Sequence, residues 1–173
     1  MEFEPSYCRY CGNELEKKQA EGRERPYCPN CDRILWQNAE PVAATVVRKG
    51  DEILFVKRGI EPGKGEWSLP AGFLEFDEEP AKAAVRELEE ETGLKVEASD
   101  LEIFQSLAME RFSGQRLVAF IFTVDAEDAE GDIRAGDDAE DASYWTIEEL
   151  EESDEKLRQH FVYAMKEALQ QNE

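Results

Sequence analysis

The chain has 173 residues, with 41 Asp and Glu against 20 Lys and Arg, a formal net charge of −21 and a pI of about 4.4. That length suits one good core with a small satellite module, and the charge argues against a nucleic-acid partner, whose phosphates need a basic footprint, and against an anionic membrane surface. The longest apolar run, Leu117 to Val124, is strand-sized rather than membrane-spanning, and the opening Met-Glu-Phe-Glu-Pro lacks the basic region and apolar core of a signal peptide, so a cytoplasmic protein is expected. The acids run along the whole chain rather than forming a tail, and lysines number nine beside eleven arginines. Such a surface reads as adapted to high salt, where screening shortens the reach of self-repulsion.

The first chemistry is in the cysteines. Cys8-Arg9-Tyr10-Cys11 and Cys28-Pro29-Asn30-Cys31 hold all four, as CxxC, sixteen residues, CxxC. Two tight turns that each offer two thiolates make a tetrahedral zinc site, and Gly12 lets the first turn close. Two disulfides or a redox pair are the alternatives. A reducing compartment disfavours the first, and the lack of a neighbouring strand-helix unit disfavours the second. Four thiolates leave no open position, so this Zn²⁺ would be structural. The polar span Asn13 to Tyr27 is expected to be the loop of a zinc ribbon filling residues 1–36. Ile34 to Pro41 links it to the remainder, 37–173, and Trp36 is expected to pack on that larger part or to line a cleft.

Val42 to Arg48 and Ile53 to Lys57 are β-branched, apolar runs separated by the turn residues Lys49 to Glu52, which predicts a hairpin. Lys57 and Arg58 either meet a phosphate or form the polar end of that strand. Gly59 to Glu66 is a glycine-rich loop, Trp67 to Leu69 a short strand, and Pro70-Ala71-Gly72 a turn. The segment 78–92 reads as a helix, with Asp77 as N-cap, Pro80 in the first turn and Gly93 at its end. Ala81, Ala84, Val85, Leu88 and Thr92 fall on the face expected to meet a sheet. Glu87, Glu90 and Glu91 fall within an arc of about 100°. Three carboxylates on one face repel one another, and a hard divalent cation, Mg²⁺ or Mn²⁺, would remove that repulsion.

Strands are expected at Glu97 to Leu107, Gln115 to Val124 and Ala142 to Thr146. Met109 to Gly114 reads as a loop, Ala126 to Asp141 as an acidic mobile loop, and Ile147 to Leu150 as the start of a short helix. Leu157, Phe161, Met165, Ala168 and Leu169 recur at helical spacing, predicting a helix over 154–170. Strands, helix, strands, helix suits an α/β sandwich with mixed β-sheets behind the ribbon. The lone His160 is assigned no role, and no serine or thiol nucleophile arrangement is present outside the cysteine pairs.

Gly72, five residues, Glu78, seven residues and then Arg86-Glu87-Leu88-Glu89-Glu90-Glu91-Thr92-Gly93-Leu94 resembles an unbroken Nudix box, the signature of hydrolases that cut diphosphates linked to another moiety. The pieces CRYCG, YCPNC, WQNAEP and KRGIEPGKGEWSLPAGFLE extend the resemblance to the zinc-ribbon Nudix hydrolases over about residues 8–94, more loosely to Leu150. Relatives of this kind that cut NADH carry a Ser-Gln-Pro-Trp-Pro-Phe-Pro array after the box. Here Phe104 to Arg111 reads FQSLAMER, so the resemblance favours the FAD and ADP-ribose pyrophosphatases. It implies a Nudix-type α/β/α sandwich and a small-molecule nucleotide diphosphate as substrate. Pairing into a homodimer is frequent in the family.

It also implies roles. Glu87, Glu90 and Glu91, with the carbonyl of Ala71, would hold catalytic Mg²⁺ or Mn²⁺, and Gly72 would leave that carbonyl unobstructed. Arg86 would orient the glutamates and Glu78 brace the loop. The general base would be Glu87 or one of Asp138, Glu140 and Asp141. Phe104, Arg111 and Phe112 are candidates for base or phosphate contacts. NADH pyrophosphatase-type activity is the alternative reaction. A silent nucleotide sensor or interaction protein on the same scaffold is the alternative class, and the complete glutamate set speaks against it.

Overall fold

The computed structural model describes residues 4–110 and 114–170. It divides into two compact units, one of residues 1–40 with 110–117, the other of 41–109 with 118–173.

In the first unit the span expected to be a loop is a β-hairpin. Strand β1 (Glu16–Ala20) pairs antiparallel with β2 (Arg23–Cys28) through a turn at Glu21 and Gly22, and β2 pairs with β3 (Arg33–Ile34). Glu21 and Gly22 both have positive φ, 50° and 77°, as the tightest hairpin turns require. The charged sequence EKKQA hid this strand, because both its faces are in water. The core here is only Cys8, Cys28 and Leu35, with Leu15 and Cys31 packed on it. Trp36 is 44% exposed and lies under the Arg25 guanidinium, 4.5 Å from ring centre.

In the second unit β4 (Glu40–Lys49) and β5 (Glu52–Arg58) form the predicted hairpin, with Lys49 opposite Glu52. Val42 to Val47 and Ile53 to Val56 are buried at consecutive positions, which requires cover on both faces of the sheet. Next come β6 (Glu66–Ser68), β7 (Ala71–Phe73), helix α1 (Pro80–Thr92), β8 (Glu102–Glu110), β9 (Arg116–Asp125), β10 (Ala139–Trp145), helix α2 (Ile147–Glu152), β11 (Lys156–Leu157) and helix α3 (Val162–Gln170). The sheet runs β11-β6-β5-β4-β9-β8, with β10 on β5 and β7 on β4. It is mixed, since β11 lies parallel to β6 among antiparallel pairs. Ala83, Ala84 and Leu88 of α1 join Ala43, Val47, Leu54, Phe122 and Val124 in one core.

Several expected boundaries move. Asp77 is not the N-cap; Glu79 occupies that position without a side-chain bond, and Pro80 begins the helix. The buried stripe of α1 takes in Ala83, while Ala81 and Val85 are only partly covered. Pro70-Ala71-Gly72 does not turn straight into the helix, because β7 first pairs with β4, with Ala43 opposite Gly72. β8 starts at Glu102, after a turn in which the Asp100 N–H donates to Glu97 O. The C-terminal helix starts at Val162 and not near 154. Glu155 is taken instead by Lys57 Nζ at 2.8 Å and Trp67 Nε1 at 3.0 Å, which draws Lys156 and Leu157 into the sheet beside β6. α2 begins as expected at Ile147, where Thr146 and Glu149 form a reciprocal capping box.

Ala126 to Asp141, expected as a loop, is tied to its neighbours, and its last residues enter β10. Glu130 and Lys95 exchange backbone hydrogen bonds of 2.8 Å, the Arg134 N–H donates to Thr92 O, and the Gly136 N–H to Glu91 O. The segment is thereby fastened along the C-terminal end of α1. A Cβ at Gly136 would fall 2.5 Å from Glu90 O, so glycine is what permits the approach.

Candidate active site and metal centre

α1 is built from Ala, Lys, Arg, Leu and Glu, all good helix formers, and Gly93 ends it with φ 75° and an N–H donated to Glu89 O. The helix therefore presents its acids at fixed spacing, and burial separates their roles. Glu91 is 3% exposed, while the Glu90 side chain is 48% exposed. Glu91 Oε2 accepts the Ala71 N–H at 3.0 Å, which sets the Ala71 peptide beside it. The Glu87 carboxylate occupies the space over Gly72, where a Cβ would stand 2.0 Å from it. Only glycine admits that contact.

Arg86 organises the rest. It donates Nε to Glu78 Oε1 at 2.9 Å and Nη2 to Glu78 Oε2 at 2.8 Å, a two-pronged pair. Nη1 reaches Glu87 at 2.6 Å and Glu90 at 3.1 Å, and Nη2 also donates to Phe73 O at 3.0 Å. Glu78 in turn accepts the Glu75 N–H at 3.1 Å, so the loop after β7 is tied to the helix. The Arg86 bonds hold the Glu78 carboxyl below its usual range. Glu89 stands apart, paired with Lys95 Nζ at 3.0 Å.

Of the three candidate bases outside α1, Asp138 is the one brought toward the glutamates: the Gly136 N–H donates to Glu91 O at 3.1 Å, and the charge of Asp138 helps to raise the Glu91 carboxyl. Asp141 is exposed and accepts the Ala142 N–H, and Glu140 is exposed. Lys57 is committed to Glu155, and Arg58 to Asp138 at 3.2 Å. Phe104 is half-buried on β8, and Arg111 and Phe112 lie outside the described residues. The fastening of 131–138 onto α1 is what sequence reasoning missed. Its only signal was a glycine at 131 and at 136 within an acidic run.

The electrostatics fit a hard cation. Burial first, then the negative charges of Asp138 and Glu87, push the Glu91 carboxyl up to about 9 against the helping Ala71 N–H. Burial also raises Glu87 despite Arg86. Carboxyl groups held at the cost of their own ionisation suit a divalent cation that takes oxygen ligands. A carboxyl whose folded pKa lies above its unfolded value favours folding fully below about 4.5, and that contribution is lost as pH rises toward 9. Metal-free protein is therefore expected to melt at lower temperature as pH is raised across that interval, and Glu91→Gln to flatten the curve. Identical pH dependence of the two proteins in EDTA would contradict this.

The ribbon cysteines form the other centre. Cys8, Cys11, Cys28 and Cys31 place their sulfurs within 4.8 Å of one another, a set that could hold a metal ion. A tetrahedral zinc thiolate with bonds of about 2.3 Å has edges of about 3.8 Å, and Cys11 Sγ stands 3.5 Å from Cys28 Sγ. The Gly12 N–H donates to Cys8 O at 2.8 Å and the Cys31 N–H points at Cys28 Sγ at 3.4 Å, the two turns the spacing called for. Without a cation the thiols split. The Asn13 backbone N–H pulls Cys11 down to about 6, and the Cys11 sulfur beside it pushes Cys31 up to about 12. Among the described residues this is the group of three or more candidate ligands whose donor atoms converge so closely. The box glutamates are spread between Arg86 and Ala71.

A family model described as NUDIX domain matches residues 39–165. An ADP-ribose pyrophosphatase of Methanocaldococcus jannaschii is 36% identical over 107 residues, 61% of this chain and 60% of its own length. A NAD-capped RNA hydrolase, NudC, of Pseudomonas aeruginosa is 33% identical over 144 residues, 82% of this chain and 49% of its own. The chain thus spans between half and three-fifths of these relatives. A crystal structure of a bifunctional NMN adenylyltransferase/ADP ribose pyrophosphatase from Francisella tularensis, complexed with AMP and a Mn ion, superposes with TM-score 0.63 at 26% identity, over 79% of this chain and 42% of that one.

Proposed function

Because this chain belongs to the NUDIX family, we propose that it is a divalent-metal-dependent diphosphohydrolase. Its substrate is a nucleoside diphosphate linked to another moiety, with ADP-ribose first and FAD next. The observation that carries this is Glu91, a buried carboxyl that accepts the Ala71 N–H and is raised by burial and by the charges of Asp138 and Glu87. A binding module would gain nothing from that cost, whereas a metal-dependent hydrolase needs it. Mg²⁺ or Mn²⁺, when bound, neutralises the diphosphate and polarises the P–O bond that breaks.

The chain's own groups do the remainder. Glu87, Glu90 and Glu91 supply the anionic oxygens, joined by the Ala71 carbonyl. Arg86 keeps Glu87 and Glu90 in register and ties them through Glu78 to the loop after β7. Asp138 or Glu87 takes the proton of the attacking water, and the nucleoside monophosphate departs in line from the other phosphate. A panel of ADP-ribose, FAD, NADH and nucleoside triphosphates with Mg²⁺ is expected to give ADP-ribose the highest kcat/KM. The second reading, NADH-type activity, keeps its place because the aligned NAD-capped RNA hydrolase, over 82% of this chain, is named for an NAD moiety, and a panel led by NADH would establish it.

The ribbon cysteines hold one structural Zn²⁺ in this reading. Protein purified without added zinc is expected to contain about one zinc per chain and to lose its ribbon fold when the metal is stripped. Near-zero zinc with two intact disulfides would contradict that. We read the charge of −21 as adaptation to a salty cytoplasm. The melting temperature is then expected to climb as KCl is raised to molar levels, and a flat curve would count against it.

A further inference from the structure

We propose that Arg58 is a positioning residue that ties the glycine loop 59–65 to Asp138 and so holds the Asp138 carboxylate against the glutamate face. The inference rests on the hydrolase reading above.

Arg58 closes β5. Its Nε donates to Pro62 O at 3.2 Å, and its Nη2 pairs with Asp138 Oδ2 at 3.2 Å. Its own carbonyl accepts the Gly65 N–H at 2.8 Å, so the loop is closed on both the backbone and the side chain of one residue. From the other side the Gly59 N–H donates to Asp138 O at 2.7 Å. β10 pairs with β5 so that Ala139 stands opposite Arg58, and the register shifts before Asp141 stands opposite Lys57. Such a bulge ends regular pairing and re-aims a side chain, here at the point where Asp138 leaves the sheet. Two residues before Asp138 the Gly136 N–H donates to Glu91 O at 3.1 Å, and Glu91 Oε2 in turn takes the Ala71 N–H at 3.0 Å.

Loop, Arg58, Asp138 and Glu91 therefore form one connected frame. Two of its members are carboxyl groups, and Arg58 is the cation paired with the Asp138 carboxylate. Its side chain is 16% exposed and that of Asp138 is 23% exposed, so water screens the pair only in part. The planar guanidinium reaches Pro62 and Asp138 in two directions at once, which a lysine ammonium cannot match with the same rigidity. Nε is engaged by Pro62 O and Nη2 by Asp138 Oδ2. Arg58 is thus placed to govern where Asp138, one of the two candidate proton acceptors, stands.

The test uses the full chain with Arg58→Met, Arg58→Lys, Asp138→Asn and the Met/Asn double variant. Arg58→Met is expected to lower kcat by roughly 10- to 100-fold with KM within about threefold, as misplacement of a catalytic group does. Arg58→Lys should recover part of that loss. The double variant should be no slower than Asp138→Asn, because the two residues act as one unit. Mn²⁺ affinity, titrated without substrate by EPR, should stay within about threefold of wild type in Arg58→Met. A raised KM at unchanged kcat would make Arg58 a substrate contact and overturn the proposal. So would a fully active Asp138→Asn, multiplying effects in the double variant, or parallel loss of Mn²⁺ binding and folding in both Arg58 variants. An inactive wild type sinks the hydrolase reading and this inference together; an active wild type with a fully active Arg58→Met sinks this inference alone.

Discussion

Glu91→Gln is expected to lower kcat with Mg²⁺ by on the order of 10³-fold while raising the melting temperature of the metal-free protein. The two effects have one cause. Glu91 is 3% exposed, faces Asp138 and Glu87, and is ionised only at a cost. The amide keeps an oxygen for the Ala71 N–H, now at 3.0 Å, and offers Asp138 a donor, so the apo fold gains. It removes the charge a hard cation needs, so turnover falls. Glu87→Gln and Glu90→Gln should also lose activity by orders of magnitude, Glu87→Gln at least as severely if it is the base. Glu90→Gln should move stability less than Glu91→Gln, because the Glu90 side chain is 48% exposed. Glu89→Gln is the control: it gives up only an exposed pair with Lys95, worth about 0.5 kcal/mol, and should keep full turnover. If Glu89→Gln proves as inactive as Glu90→Gln, or if all four variants retain turnover, the glutamate face is not catalytic.

Arg86→Met should cost both activity and stability, in contrast to Glu91→Gln. Five hydrogen bonds leave with the guanidinium: two to Glu78 and one each to Glu87, Glu90 and Phe73 O. The carboxylates of Glu78 and Glu87 are left partly buried without their counter-charge, which costs about 2–3 kcal/mol for a pair that water still reaches. In a chain of this size that lowers the melting temperature by about 5–10 °C. Turnover should fall by about 100-fold or more, since Glu87 and Glu90 lose their common anchor. Arg86→Lys should rescue little, because an ammonium cannot grip Glu78 with two prongs and reach Glu87 as well. Calorimetry and steady-state kinetics on the same preparation check both halves. A stable, slow Arg86→Met would mean that the arginine serves chemistry alone, and an unstable one with normal kcat that it serves the fold alone.

What the sequence disclosed was local. The β4–β5 hairpin, the glycine end of α1, the start of α2 and the cysteine knuckles each rest on residues a few positions apart, and each appears where the pattern put it. Strand β1 was hidden because EKKQA is exposed on both faces and so has no alternation to betray it. The parallel pairing of β11 with β6 was hidden for a different reason. It depends on Glu155 reaching Lys57 and Trp67 nearly a hundred positions earlier, and no window of sequence contains both. In the site, helical geometry gathered Glu87, Glu90 and Glu91 on one face but could not rank them. Their ranking comes from β7, which lays Gly72 under Glu87 and the Ala71 N–H against Glu91, and from the 131–138 segment, which delivers Asp138. Those are tertiary contacts, and burial, rather than residue type, distinguishes Glu91 from Glu90.

The most direct measurement is the product spectrum from ADP-ribose. Pure protein with Mg²⁺ is incubated with ADP-ribose and followed by ³¹P NMR, with an EDTA-treated sample beside it. The diphosphate signal is expected to give way to two monophosphate signals, AMP and ribose 5-phosphate in equal amounts, and to stay unchanged in EDTA. Release of inorganic phosphate alone, or turnover unchanged by EDTA, would contradict it.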